Sequence, residues 1–238
     1  MVDGRSWNVQ PHGKLIELAE NLWTVEGTIK MPPGPLPRRM TIARLQSGAL
    51  VIFSAIALDD AEMQKIEALG EPSILIVPNP FHRQDAAAWK ARYPDIRVVT
   101  PAGARAAVEQ IVPVDDCESL LSDETVRFQP VRGTDSSESA LVVVSESGTT
   151  LVVNDLIGNV RNARGIMKWV LFAMGFAGRA PQVPRAYKAR AVKDKGAVAE
   201  QFRSWAALPR LNRILVSHGA IIEDDPAQVL YDLARRLA

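Results

Sequence analysis

Four residues of this chain have side chains and positions suited to holding a metal: His82, Asp85, Asp155 and His218. His82 comes shortly after Ser73 to Val77, a short β-branched run that reads as a buried strand stopped by Pro78 and Pro80. Asp155 follows Thr149 to Val153, and His218 follows Leu211 to Val216, two further strand-like runs. Imidazole and carboxylate suit Zn or Fe, and rigid strands can fix their geometry. Ligand sites in layered α/β folds gather at strand ends. Asn79 belongs to the same loop as His82 and Asp85 and joins the candidate cleft. Each residue has a plain structural alternative. His218 could cap its strand, Asn154-Asp155 could be turn chemistry before Gly158, and His82 could stabilise its own loop. Asp155 and His218 could also act as an acid–base pair without metal if they lie within hydrogen-bond reach. Arg83, in the same loop as His82, adds a positive charge that would repel a cation.

The elements that must position these residues follow from periodicity. Residues 1–14 read as an N-terminal arm. Leu15 to Gly27 reads as two strands turning at Glu20-Asn21, and Lys30 to Arg39, with four prolines, as a loop. Met40 to Leu45 and Leu50 to Ala55 form a hairpin around Gln46-Ser47-Gly48. Asp59 to Leu69 is a helix with an aspartate cap and Gly70 beyond its end. Ala86 to Arg92 and Ala102 to Gln110 are helices, with a strand at Ile96 to Val99 between them. The second half repeats the rhythm: a strand at Thr125 to Val131, a polar loop at Gly133 to Ser139, and a hairpin from Ala140 to Val153. A C-terminal strand lies between helices at Val192 to Leu208 and Pro226 to Leu237. An insertion, placed at 158–190, holds one apolar helix from about Gly165 to Gly175. A helix apolar nearly all round must be buried. Core packing and a homodimer contact are equally good expectations for it.

Composition narrows the function classes. The chain has 238 residues, 47% hydrophobic and 23% charged, as in an ordinary globular protein, and is expected to form a single domain. Its net charge of +1 gives no overall reason to expect nucleic acid or an acidic membrane as partner. The single Cys117 excludes an intramolecular disulfide and a multi-cysteine zinc site. Met1 to Gln10 lacks the apolar core of a signal peptide, and the longest apolar stretch is too short to span a bilayer. A cytoplasmic location is the expectation. Nucleotide-binding and serine-hydrolase motifs are absent.

The order of elements from about Leu15 to Ala238 resembles the metallo-β-lactamase superfamily. The resemblance implies an α/β fold, a four-layer αββα sandwich, with one or two metals. Val152-Val153-Asn154-Asp155 is similar to the family's strand-then-aspartate, which would bridge two metals, and Leu215 to Gly219 is similar to its last histidine motif. In the family's G-H loop Gly133 is kept, but Thr134 stands at the histidine position. The first motif, H-x-H-x-D-H, has two registers here. In one, Asn79, Phe81, Arg83 and Gln84 take the ligand positions and no ligand survives. In the other, His82 takes the second histidine position and Asp85 the last. The run Pro78 to His82 also resembles an uncharacterised branch with an N-x-x-H signature. The implied site is thus Asn79, His82, Asp85, Thr134, Asp155 and His218. Two readings follow. The first is an atypical or non-catalytic member that lacks most metal ligands and needs no cofactor. The alternative is a mononuclear hydrolase of a small ester, lactone or phosphoester using one Zn or Fe. A small-molecule ligand in the cleft is the expected partner in either case.

Overall fold

Proline normally ends a strand, yet the Lys30 to Arg39 segment departs from the loop expected of it. β2 (Leu22–Met31) and β3 (Gly34–Arg44) form one long antiparallel hairpin that pairs as far as Met31 with Gly34. Pro35 and Pro37 pair with Lys30 and Thr28 there. They are tolerated because β4 (Leu50–Phe53) reaches only Thr41 to Arg44, so this part of β3 is an edge. The computed structural model describes residues 6–31, 34–117, 121, 123–161, 163 and 165–237, the side chains of 30 and 31 excepted. The first five residues of the expected arm and positions 162 and 164 of the expected insertion lie outside them. From Pro11 the arm is hydrogen-bonded along β2, with Gly13 N donating to Glu26 O and Thr28 N to Pro11 O.

β1 (Ile16–Ala19), β2, β3, β4, β5 (Pro72–Ile76) and β6 (Arg97–Val99) form one sheet in sequence order. β7 (Val126–Pro130), β8 (Ser139–Ser145), β9 (Gly148–Asn159) and β10 (Leu211–Gly219) form the second, in the order β10-β9-β8-β7. The helices are α1 (Asp60–Leu69), α2 (Ala86–Arg92), α3 (Arg105–Val108), α4 (Gly165–Met174), α5 (Arg185–Ala191), α6 (Lys195–Ala206) and α7 (Pro226–Leu237).

Alternation of side chains along the strands creates three apolar interiors. Leu50, Ile52, Leu75 and Val77 face α1 and α2, against Met63, Ile66 and Trp89. Their neighbours Val51, Phe53, Ile74 and Ile76 face the other sheet, against Leu141, Val143, Val152 and Leu215. Val142, Leu151, Val153, Ile214 and Val216 face α6 and α7, against Phe202, Trp205, Leu230 and Leu233. These strands bury both faces, so they read as continuous apolar runs. Helix, sheet, sheet, helix is the αββα sandwich the sequence leads one to expect. Among the described residues no helix is long and apolar enough to cross a membrane.

Two expectations about the second half are corrected. Asp155 does not follow its strand but lies inside β9, which continues to Asn159. The insertion also contains α5 besides the apolar helix. The reason for the first lies in the ladder. β10 pairs Val216 with Val153 and His218 with Gly158, so β9 bulges between these pairs. A bulge redirects side chains locally. It is this irregular stretch that carries Asp155.

Candidate metal centre

Asn79 shapes the loop after β5. Its Oδ1 accepts from the backbone N–H groups of Phe81, at 2.8 Å, and His82, at 3.1 Å. This side-chain turn aims His82 at the second sheet. His82 Nε2 lies 3.3 Å from Asp155 Oδ1 and 3.2 Å from His218 Nε2. His218 Nε2 lies 2.9 Å from Asp155 Oδ1. Three side chains separated by up to 136 residues therefore meet at one point between the sheets. Asp155 and His218 are buried and His82 is nearly so.

The atoms facing away from that point are held as well. His218 Nδ1 donates to the Pro37 carbonyl at 2.6 Å, and a carbonyl can only accept, so this nitrogen keeps its proton. His82 Nδ1 meets Ser54 Oγ at 2.9 Å. Ser54 follows β4 with φ of +58°, an uncommon conformation for a residue with a Cβ. Asp155 Oδ2 accepts from Asn79 Nδ2 at 2.8 Å. Arg39 donates through Nε to Val216 O and through Nη2 to Gly219 O, bracketing His218. Such outer partners orient metal ligands and raise their basicity.

The electrostatics match the geometry. Burial alone would raise the Asp155 carboxyl, but the two histidines beside it hold it well below the ordinary carboxylate range. Burial works against a charge on His218, yet Asp155 and the Pro37 carbonyl outweigh it and hold His218 above its ordinary value. A cation is thus favoured where the three atoms converge, and a proton or a metal can supply it.

The spacing admits a metal. A tetrahedral ion with bonds of about 2.0 to 2.1 Å needs ligand atoms about 3.3 to 3.4 Å apart. The three separations here run from 2.9 to 3.3 Å. Among the described residues this is the one cluster of histidines, cysteines and carboxylates able to hold an ion.

The remaining candidates go elsewhere. Asp85, expected as a possible ligand, accepts from Arg38 Nη1 at 2.6 Å and from Ala57 N at 3.3 Å. Its carboxylate neutralises a buried arginine instead of joining the three. Thr134 is buried and donates to the Val131 carbonyl at 2.7 Å, an interaction internal to its own loop. Arg83, expected to repel a cation, turns away and bonds the Ala107 carbonyl and Gln110.

Sequence reasoning missed Ser54, Glu138 and Tyr187. Ser54 obeys the rule that found the others, a polar residue just past a buried strand. Glu138 lies in the polar loop at Gly133 to Ser139, but it is fully buried. Its Oε2 accepts from Asn79 Nδ2 and from Tyr187 Oη, each at 2.8 Å, and Oε1 has no partner among the described residues. Burial first, and then the Asp155 charge, push Glu138 well above its ordinary value. The folded protein therefore binds this proton more tightly than the unfolded chain. Stability from this group is full below about pH 4.5 and falls as pH rises toward the folded value. Glu138→Gln keeps both accepted hydrogen bonds and removes the charge. It should raise stability at pH 8 by about 1 kcal/mol or more and flatten the alkaline fall, as read from urea unfolding across pH. An unchanged pH profile would show that Glu138 is not held neutral.

A cavity of about 450 Å³ opens over the three residues. Its walls are mainly Ile29, Leu36, Ala55, Phe81, Met174 and Phe176, with Arg38 and Arg190 as the cationic groups. The ring of Phe176 lies edge-on to His218, 5.0 Å between centroids.

No protein-family model matches the sequence, and no curated protein matches it. Solved structures do match in shape. DIM-1 metallo-β-lactamase, in a structure exposed to ceftazidime, superposes with a TM-score of 0.66 at 12% identity, covering 97% of this chain and 100% of that one. FIM-1 from Pseudomonas aeruginosa, in its mono-zinc form, gives 0.62 at 13% identity, covering 97% and 98%. A metallo-β-lactamase from Hirschia baltica gives 0.61 at 14% identity, covering 94% and 98%. At these identities the likeness is one of fold. Nearly the whole chain adopts the metallo-β-lactamase fold.

Proposed function

We propose that this protein is a mononuclear metal-dependent hydrolase of a small, largely apolar ester, lactone or phosphoester. The observation that carries the reading is the meeting of His82 Nε2, Asp155 Oδ1 and His218 Nε2 at separations suited to one ion. Three protein ligands and an open fourth position are what a catalytic zinc site requires. The cavity lies on that open side.

A bound Zn or Fe would supply Lewis acidity at the floor of the cavity. The chain's own residues do the rest. Asp155 provides the one anionic ligand, and its second oxygen is fixed by Asn79. The proton on His218 Nδ1 is held there by its hydrogen bond to the Pro37 carbonyl, which leaves Nε2 free to bind. Ser54 Oγ, 2.9 Å from His82 Nδ1, holds the ring of His82 from its other side. Phe81, Met174 and Phe176 exclude water from the apolar part of a substrate. Arg190, exposed at the rim, offers a cation to an acidic leaving group or phosphoryl oxygen. Apart from His82, the first-motif residues of either register, and Thr134, would supply no ligand for a second ion: Asp85 is taken by Arg38 and Thr134 by the Val131 carbonyl.

The test begins with protein purified without chelator. Its Zn, Fe and Mn content is measured, and hydrolysis of short acyl esters, lactones and phosphodiesters is followed before and after metal is removed and restored. The expected result is up to one metal per chain and hydrolysis only by the loaded form. A metal-free protein whose stability does not change on adding Zn, and which hydrolyses nothing, would favour the non-catalytic reading instead.

A further inference from the structure

α4 contradicts the rule that an apolar helix is buried. It buries Met167 and Leu171 against Val160, Phe176 and Ala177, but its other side faces outward. Ile166 is 70% exposed, Trp169 69% and Phe172 53%. With Met174 they make four of the nine large exposed apolar residues among the described part of the chain, on one helix of ten residues. Their spacing of three places them in one stripe. An exposed stripe of this kind, two of its residues aromatic, marks a contact surface.

Charge says what it contacts. From Leu156 to Lys193 the sequence has eight lysines and arginines and no aspartate or glutamate. The rest of the chain, with 20 basic against 27 acidic residues, is net negative. The overall charge of +1 conceals this division. Arg161 leads toward α4, Lys168 lies within it, and Arg179 follows it, all exposed. Arg185 begins α5, whose first turn packs on Gly175 at the end of α4. None of these four pairs with a carboxylate among the described residues. A twofold dimer through this face would set two such basic segments against each other. An anionic lipid surface would complement both the charge and the apolar stripe, as in helices that lie in the membrane interface.

We propose that α4 is an interfacial anchor that docks the protein on anionic lipid, with Ile166, Trp169 and Phe172 entering the acyl boundary and the surrounding arginines and lysines meeting the headgroups. Ile166, Trp169 and Phe172 lie outside the cavity lining and take no part in the metal centre. Met174 and Phe176, at the end of α4, also line the cavity. Docking would therefore set the cavity mouth beside the lipid.

The test is co-sedimentation of the full chain with vesicles of phosphatidylglycerol mixed into phosphatidylcholine, and with vesicles of phosphatidylcholine alone. Binding to the anionic vesicles should be tighter by about tenfold or more and should weaken with salt. Emission from Trp169 should shift to the blue on binding, and Trp169→Phe should remove the shift while keeping the binding. Trp169→Glu with Phe172→Glu should weaken binding by about tenfold or more. Both side chains are exposed, so the melting temperature should not change, and this confirms that the fold is kept. No binding to anionic vesicles, equal binding to neutral ones, or binding undiminished in the double variant would overturn the proposal. So would a dimer in sedimentation equilibrium that the double variant turns into a monomer, because the occupant would then be a second copy.

Discussion

Asp155→Asn should weaken binding of the proposed metal by more than about 100-fold and abolish any hydrolysis that depends on it. Changes to outer partners of a metal site already cost about 10- to 100-fold. Asp155 is the shared partner of both histidines and the only anionic ligand, so its loss removes more than an outer partner would. The same substitution has a second, metal-free readout. With no ion bound, Asp155 and a protonated His218 form a buried pair at 2.9 Å. Removing one partner of such a pair costs about 3 to 5 kcal/mol. The pH window follows from the direction of each shift. Asp155 is held below its ordinary 3.8, so its contribution is complete above that value and is lost as pH falls through the folded value. His218 is held above 6.5, so its contribution is complete below that value and is lost as pH rises through the folded value. The pair therefore contributes in full between about pH 3.8 and 6.5, and Asp155→Asn should flatten that plateau in urea unfolding of the metal-free protein. Metal content by mass spectrometry gives the first readout. A variant that keeps both its metal and its plateau would place the centre elsewhere.

The layers of this fold were legible because burial on both faces writes apolar runs into strands. The runs around Leu50, Ile74, Leu141, Leu151 and Ile214 carry no polar alternation, and all of them proved to lie between two layers. The rule that looks just past such runs picked out His82, and His218 although β10 runs on through it to Gly219. It found Asp155 for an incomplete reason, since that residue sits in a bulge within β9, and a bulge leaves no mark on composition. Asp85 misled because proximity in sequence to His82 does not fix direction. One turn further on it enters α2, and the nearest buried charge it meets is Arg38. The proline-rich segment misled because one-sided pairing at an edge tolerates proline, and sequence does not say where a neighbouring strand stops.

Glu138 and α4 show the opposite kinds of failure. A glutamate in a serine-rich loop reads as solvated, but Glu138 is buried between the loop after β5 and α5, where Asn79 and Tyr187 satisfy one oxygen. An apolar helix reads as buried, but only Met167 and Leu171 are buried and Val170 partly so. In both cases the missing information is tertiary: what lies on the other side. Charge distribution along the chain adds a signal for α4 that the net figure hides, since it averages away a long basic segment.

Gly219→Ala should destabilise the protein by about 3 kcal/mol or more and weaken metal binding at the proposed centre, although residue 219 is not one of its three ligands. Gly219 has φ of +123°, a region that residues with a Cβ rarely adopt. That strain alone costs about 1 to 3 kcal/mol. A Cβ there would also lie 2.2 Å from the carbonyl carbon and oxygen of Asn159 and 2.6 Å from Val160 N. These are backbone atoms, so no side chain can turn aside to make room. Gly219 pairs with Asn159 in the β9–β10 ladder, and His218 with Gly158 beside it. Relief therefore has to come from moving the end of β10 away from β9. That movement carries His218 away from Asp155 and breaks the hold of Arg39 on the Gly219 carbonyl. In a chain of this size each kcal/mol lowers the melting temperature by about 2 to 4 °C, so a fall of roughly 6 °C or more is expected. Gly48→Ala is the matched control. Its φ is +89°, but a Cβ there meets nothing within 4 Å, so it should show the backbone cost alone and keep its metal. If Gly219→Ala melts like Gly48→Ala and binds metal as the parent does, the close approach of β10 to β9 is not what holds His218 in place.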